Sequence, residues 1–450
     1  MSKFNRRDFL KASATVAPLA ATGLGSSLSF AADPYSDNIF VFVFQRGGID
    51  GLSFLTPMDG HPDRGFYEAL RPNGTMIPSV NLEALSGGWG LHSAAAPLKD
   101  LWNQQDLAIV QAAGLAIPNR SHFEAERYVE LGTPGNRFTN TGWLTRHIAT
   151  SNSLPGELLL PAVITESTVR YSFLNETSVL TMRYPQNFDF DSSYYEEEQE
   201  AALADIYAVE SGELDVAGVQ ALNAMELIEQ IDFGSYVPAN GAVYPPRPDN
   251  PDRLTSFGEE LKIIAQLIKE QTGVRLAQTD IGGWDTHNTQ GNEVDGGFYN
   301  NIYDLAHSIK AFFADLDTPA PGGGSWADRT TMIVYSEFGR RVFDNADAGT
   351  DHGWGNNCLA IGGGVNGGQF YGNWLGLSEE AIYQGADVWA TTDYRTIFSE
   401  MLIKRLHNNK LYEIFPGYTA EEYQPLGIFS GSALHPDFND PDVIFKDGSE

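Results

Sequence analysis

In Asn38-Ile39-Phe40-Val41-Phe42-Val43-Phe44 every residue after the asparagine is apolar, and Arg46-Gly47-Gly48-Ile49-Asp50-Gly51 follows after one residue. β-branched and aromatic residues without polar alternation predict a strand covered on both faces, as in a mostly parallel sheet. Five more short runs read the same way: Leu107–Ala112, Leu160–Thr165, Arg275–Thr279, Thr330–Tyr335 and Leu359–Ile361. Between them Ser121–Leu131, Arg253–Gln271, Asn301–Leu316 and Tyr394–His407 space their apolar residues by three and four, the period of a helix with one buried stripe. Strands alternating with helices predict an α/β sandwich, a central mostly parallel sheet flanked by helices. In such sheets ligands bind beyond the carboxyl ends of the strands.

The chain has 450 residues, 42% of them hydrophobic, enough to build a large core. Its 28 Lys and Arg face 59 Asp and Glu, a formal charge of −31. A surface that acidic repels phosphate backbones, which excludes nucleic acid as an expected partner. Cys358 is the single cysteine, so neither a disulfide framework nor a cysteine zinc cluster can form within the chain. Asn5-Arg6-Arg7-Asp8-Phe9-Leu10-Lys11, a mildly apolar uncharged stretch to Phe30 and the small residues of Ser29-Phe30-Ala31 read as a twin-arginine export signal over residues 1–31. The expected product is residues 32–450 as one α/β domain, periplasmic or secreted, without stable membrane insertion. Its first partner would be the twin-arginine export machinery. Tyr171–Pro251, with Asp189-Phe190-Asp191 and Glu196-Glu197-Glu198, reads as an acidic insertion or lid whose carboxylates form a solvated face.

Four segments concentrate His, Asp, Glu and Arg where strands are expected to end. Arg46–Gly51 carries Asp50, which can project into the crevice or cap the next helix. Asn119-Arg120-Ser121-His122-Phe123-Glu124 begins a helix, with Ser121 and Glu124 spaced as a capping box. A serine there also faces the positive end of the helix dipole, an anion site, and can serve as a nucleophile. Gly282-Gly283-Trp284-Asp285-Thr286-His287 places a carboxylate and an imidazole two residues apart, both able to face one ion. Ser336-Glu337-Phe338-Gly339-Arg340-Arg341 and Asp351-His352-Gly353-Trp354 add an acid and a second imidazole. A mixed nitrogen and oxygen set of Asp50, Asp285, His287, Glu337 and His352 suits zinc, manganese or iron better than calcium, and one or two ions of zinc or manganese are the expected cofactor. Arg46, Arg120, Arg340 and Arg341 flank these motifs in a chain poor in cations, as an anionic small-molecule or polymer substrate would require.

In this order the motifs RGGIDGLSFLTP, NRSHFEAE, IGGWDTHNTQ, IVYSEFGRR, DHGWGN and TTDYRTIFSEML resemble the bacterial family of unknown function numbered 1501, within the alkaline phosphatase-like superfamily. The resemblance runs from Asn38 to about His407. It implies an alkaline phosphatase-like sandwich with two metal ions at the strand ends. It also implies hydrolysis or transfer of phosphate, sulfate or phosphonate groups by a hydroxyl nucleophile. Carried onto this sequence, Ser121 matches the nucleophile, with Arg120 and His122 beside it. Asp50 matches the carboxylate after the first strand, Asp285 and His287 the pair of the first metal, His352 its distal histidine and Glu337 the acid of the second. Where the phosphatases carry Asp-His-Gly this chain has Glu337-Phe338-Gly339, so a second-site histidine is missing, and His122 is the candidate substitute. The Cys/Ser-x-Pro-x-Arg signature of formylglycine sulfatases is absent around Ser121 and Cys358.

Three functions fit this sequence: a metal-dependent hydrolase of phosphate- or sulfate-type esters, a non-catalytic exported binding or assembly protein on the same fold, and a mononuclear iron oxygenase using His287, His352 and one carboxylate. The export reading has its own test. Replacing Arg6 and Arg7 by Lys keeps the charge but removes the guanidinium pair, and fractionation is expected to find uncleaved precursor in the cytoplasm; normal export of that variant would contradict the reading.

Overall fold

The computed structural model describes residues 37–154, 158, 160–185, 196–207 and 213–439. Its strands are β1 Ile39–Gln45, β2 Leu55–Pro57, β3 Leu82–Ala84, β4 Trp89–His92, β5 Leu107–Gly114, β6 Ala162–Ile164, β7 Val179–Thr181 and β8 Pro246–Arg247. The second half adds β9 Asn250–Leu254, β10 Leu276–Ile281, β11 Thr330–Ser336, β12 Arg340–Asp344, β13 Thr350–His352, β14 Asn356–Gly362, β15 Phe370–Tyr371 and β16 Thr392–Asp393. Nine of these form one sheet in the order β15-β5-β14-β11-β1-β10-β6-β7, with β16 also on β5. Every pairing in it is parallel except the two made by β14, which runs antiparallel to β11 and to β5. All six strands expected from apolar runs lie in this sheet.

β1 shows how one sequence serves two cores. Its pleat sends Ile39, Val41 and Val43 to one face and Phe40, Phe42 and Phe44 to the other. On the first face they meet the helices Ser256–Lys269 and Gly297–Leu316. On the second, Phe42 packs edge-on against Trp143 and Phe398, from the helices Trp143–Thr150 and Tyr394–Arg405. The result is a large mixed sheet of mostly parallel strands with helices on both sides.

One reading needs correction. The stretch from Tyr171 is not all insertion, because Val179–Thr181 pairs with β6 as an edge strand of the main sheet. Only beyond it do the helices Glu196–Tyr207 and Glu213–Glu229 pack on each other, ahead of the exposed β8–β9 hairpin. Two small antiparallel sheets, β2-β4-β3 and β12-β13, went unread because strands of three to five residues carry too little periodicity. The export signal and Asp189-Phe190-Asp191 lie outside the described residues. Among the described residues no helix is long and apolar enough to cross a membrane.

Topology gathers the motifs. β11, β1 and β10 are adjacent and parallel, and Gln45 lies level with Ile281 and Ser336. The loops starting at Arg46, Gly282 and Glu337 therefore leave one edge of the sheet at the same height. β14 runs the other way, so the His352–Gly355 turn enters it at that edge, and Asn356 sits opposite Ala113 near the end of β5. β5 then leads to Ser121 and the helix His122–Leu131.

Candidate functional site

The loop after β1 packs flat against the loop after β10. At Gly47, with φ +121°, a Cβ would lie 2.6 Å from the backbone nitrogen of Asp285. At Gly48, with φ +62°, it would enter the ring of Phe338 at 2.4 Å. No side chain fits in either place, so the glycines permit the close approach. Across this seam Arg340 is completely buried and donates to the carbonyls of Gly48 (2.6 Å), Thr350 (2.7 Å) and Trp284 (3.1 Å), to that of Gly47, and to Asp285 Oδ1 at 2.7 Å. One guanidinium thus fastens three strand-end loops.

Asp285, positioned by Arg340, is the point on which the histidines converge. Its Oδ1 lies 3.0 Å from His287 Nε2, 3.1 Å from His352 Nε2 and 3.4 Å from His122 Nε2. His287 Nε2 and His352 Nε2 are 2.9 Å apart. Each ring turns its other nitrogen to an acceptor: His352 Nδ1 to the Arg120 carbonyl (2.8 Å), His287 Nδ1 to Asp351 (3.1 Å), and His122 Nδ1 to Glu337 Oε1 (2.7 Å). A carbonyl or carboxylate can only accept, so the hydrogen of a neutral ring belongs on Nδ1 and its Nε2 is a bare lone pair. Three lone pairs and a carboxylate oxygen then point at one another, which is unfavourable unless a proton or a cation lies among them. His122 Nε2 is buried and has no hydrogen-bond partner among the described residues. This donor set, with an outer acceptor on every ring, fits a divalent metal.

Electrostatics follow from the same contacts. Partial burial would raise the Asp285 carboxyl, but the hydrogen bond and the charge of the Arg340 guanidinium overcome it and hold the group well below the usual carboxylate range. Hydrogen bonding to Glu337 raises His122, whereas burial lowers His352. Glu337 is fully buried; Oε1 accepts the Gly47 N–H at 2.9 Å and Oε2 the Ser336 hydroxyl at 3.0 Å. The ligand atoms of His122, Asp285 and His352 all lie within 4.8 Å of one another, as do those of a second group, His122, Glu126 and Glu337. Glu126 was not singled out from the sequence. Its position one helical turn beyond His122 was the available signal. Burial pushes its carboxyl up to about 7, against the pull of Arg46. Phe338 packs 4.8 Å from the ring of His122 and 4.9 Å from that of His352, an apolar wall to the cluster.

Other expected residues are placed elsewhere. Asp50 is not among the converging groups. It is buried, takes Arg71 on both oxygens, and accepts from Ser53 Oγ (2.6 Å) and Gln290 Nε2 (2.8 Å) while capping the helix Gly51–Phe54. Its oxygens are already filled, which replaces the reading of it as a ligand. Gln290 was missed entirely. Its Oε1 accepts from Thr286 (2.8 Å) and Thr350 (2.9 Å), so it ties the Asp285–His287 loop to β13 and both to Asp50. Arg46 and Arg340, expected to bind substrate, are engaged internally; Arg46 pairs with Glu126 and Glu130 at 2.8 Å and with Asp280. Arg120 is half-exposed and pairs with Asp387. Ser121 is the N-cap residue, yet its side chain makes no capping bond. The capping box fails because Asn119 Oδ1 takes the Ser121 N–H at 2.7 Å, while Glu124 turns to Asn119 Nδ2 and Arg137. The serine hydroxyl is left exposed, between Arg120, whose carbonyl bears on His352, and His122.

A family model described as protein of unknown function (DUF1501) matches residues 245–407. The match takes in Asp285, His287, Glu337, Arg340 and His352. Comparison with curated proteins finds no match.

The Asp50–Arg71 pair predicts a pH signature. Burial alone would raise the Asp50 carboxyl, but Arg71, Ser53 and Gln290 bring it down to about 2, against 3.8 for a free side chain. The folded value lies below the unfolded one, so this contribution to stability is complete above about pH 4 and is lost as the pH falls through 2. Asp50→Ala leaves Arg71 buried without its partner and is expected to cost about 3–5 kcal/mol near pH 7. Urea denaturation at a series of pH values should show the deficit narrowing between about pH 4 and pH 2; a deficit that stays flat would contradict the pairing.

Proposed function

We propose that this chain is an exported, metal-dependent hydrolase of phosphate- or sulfate-type esters, with an alkaline phosphatase-like sandwich and a serine nucleophile. The observation that carries the reading is the convergence of His122, His287 and His352 on Asp285, each ring braced from behind, next to a serine hydroxyl with no structural task. Asp285, His352 and either His287 or His122 would hold a zinc or manganese ion, and His122, Glu126 and Glu337 are the donors available to a second. Bound there, a divalent ion supplies Lewis acidity at an anionic ester.

The chain's own groups account for the rest. Ser121 Oγ attacks the phosphorus or sulfur atom and the ester's alcohol leaves; water then cleaves the serine ester and frees the inorganic anion. Ser121 sits at the N-terminus of a ten-residue helix, where the dipole and the first free N–H groups favour negative charge. Arg120, half-exposed beside it, binds an outer oxygen of the same group. Phe338 and the buried face of Glu337 limit water on the inner side.

Ser121→Asn keeps a residue that caps helices well, so fold and metal content are expected to be unchanged. Activity in a broad ester screen should fall by about three orders of magnitude or more. A fully active Ser121→Asn protein would remove serine catalysis, and metal without turnover of any ester would favour a binding protein on the same fold. Asp285→Ala combined with His287→Ala should lower bound zinc or manganese in elemental analysis. It should also remove the ligand-linked stability, about 2.7 kcal/mol when metal stands at a hundred times its Kd. Unchanged stoichiometry would show that the ligands lie elsewhere, and a single ferrous iron would favour the oxygenase reading.

A further inference from the structure

A cavity of about 510 Å³ opens beside the helix His122–Leu131. Arg46, Glu126 and Glu130 line its inner end, and Glu126 belongs to the second ligand group. The cavity therefore shares Glu126 with the candidate site, and its volume suits a small-molecule ligand. Its rim carries two aromatic rings: Phe123, 88% exposed in the first turn of the helix, and Tyr171, 42% exposed. Rings left in water beside a reactive centre mark a surface that a ligand covers.

The arginines of this cavity are not equivalent. Arg46 is engaged by Glu126, Glu130 and Asp280, and Arg170 by Asp280 (2.7 Å) and Glu166 (3.4 Å). Arg127 has no hydrogen bond and no ion pair among the described residues, and its Nε is enclosed without a partner. Its guanidinium lies 4.7 Å over the ring of Tyr171. In a chain where acids outnumber bases by 59 to 28, an arginine that no carboxylate has captured stands out. Stacking fixes the guanidinium plane and leaves its edge of N–H donors free for a planar or tetrahedral anion. The neighbouring acids are already paired: Glu126 and Glu130 are held by Arg46, and Glu124 by Arg137.

We propose that this cavity receives the body of the ester substrate, a ring bearing a second anionic group, with Arg127 binding that group and Tyr171 and Phe123 packing the ring. The reacting end of that substrate rests on the hydrolase reading; the binding subsite does not.

The test uses naphthalene-2-sulfonate, a ring with one anionic group and no cleavable ester, titrated calorimetrically into the full-length protein. Binding is expected in the wild type, weaker by at least tenfold in Arg127→Gln, and weaker in Tyr171→Ala. The neutral analogue 2-naphthol should be affected by Tyr171→Ala and not by Arg127→Gln, which separates loss of the anion contact from a general defect in folding. His352→Ala should leave sulfonate binding intact. That outcome, without turnover in the wild type, would fail the hydrolase reading while keeping the subsite. Equal sulfonate binding in wild type and Arg127→Gln, binding abolished by His352→Ala instead, or no binding in the wild type at millimolar concentration would each overturn the proposal.

Discussion

The buried guanidinium of Arg340 is the constraint on which the rest of the site depends. A cation without water must have its N–H groups paired, and here the partners are the carbonyls of Gly47, Gly48, Trp284 and Thr350 and the carboxylate of Asp285. These groups belong to the loops after β1 and β10 and to β13, so satisfying one charge fixes three segments distant in sequence. Only a planar fork reaches all of them, and a lysine at this position could not. Asp285 takes its orientation from that bond and in turn sets the place where the histidines meet.

A second buried charge supports the first from below. Arg71 neutralises Asp50, Asp50 holds Gln290, and Gln290 receives the hydroxyls of Thr286 and Thr350. Thr286 lies between Asp285 and His287, and Thr350 is two residues from His352, so the polar chain runs directly under the ligand-bearing backbone. Each imidazole is also braced by an acceptor behind it. The cluster is thereby preorganised as a ring of lone pairs, an arrangement whose mutual repulsion a cation relieves.

The sheet was legible because its strands are buried on both faces and therefore uninterruptedly apolar, as Ile39–Phe44 and Thr330–Tyr335 are. The gathering of Asp285, His287, Glu337 and His352 followed from one rule, that ligands sit beyond the carboxyl ends of parallel strands. What escaped reading was pairing. Nothing in the spacing of Asp50, Arg71 and Gln290 tells that they touch, since the contacts span 21 and 240 residues. The same limit applies to Arg46 and Arg340. An arginine beside a ligand motif can face a substrate or a buried carbonyl, and the sequence around it looks the same. Ser121 and Glu124 had the spacing of a capping box, but Asn119 and Arg137 compete for the same partners and win. Short elements such as Val179–Thr181 were lost because three residues do not establish a period.

The convergence of His122, His287 and His352 on Asp285 is proposed as a metal centre. Anomalous X-ray diffraction from crystals of the protein as purified, collected above and below the zinc and manganese absorption edges, tests it most directly. An anomalous peak is expected within bonding distance of Asp285 and His352 and at least one of His122 and His287. Full-occupancy protein crystals with no peak among these side chains, or with the metal bound elsewhere, would contradict it.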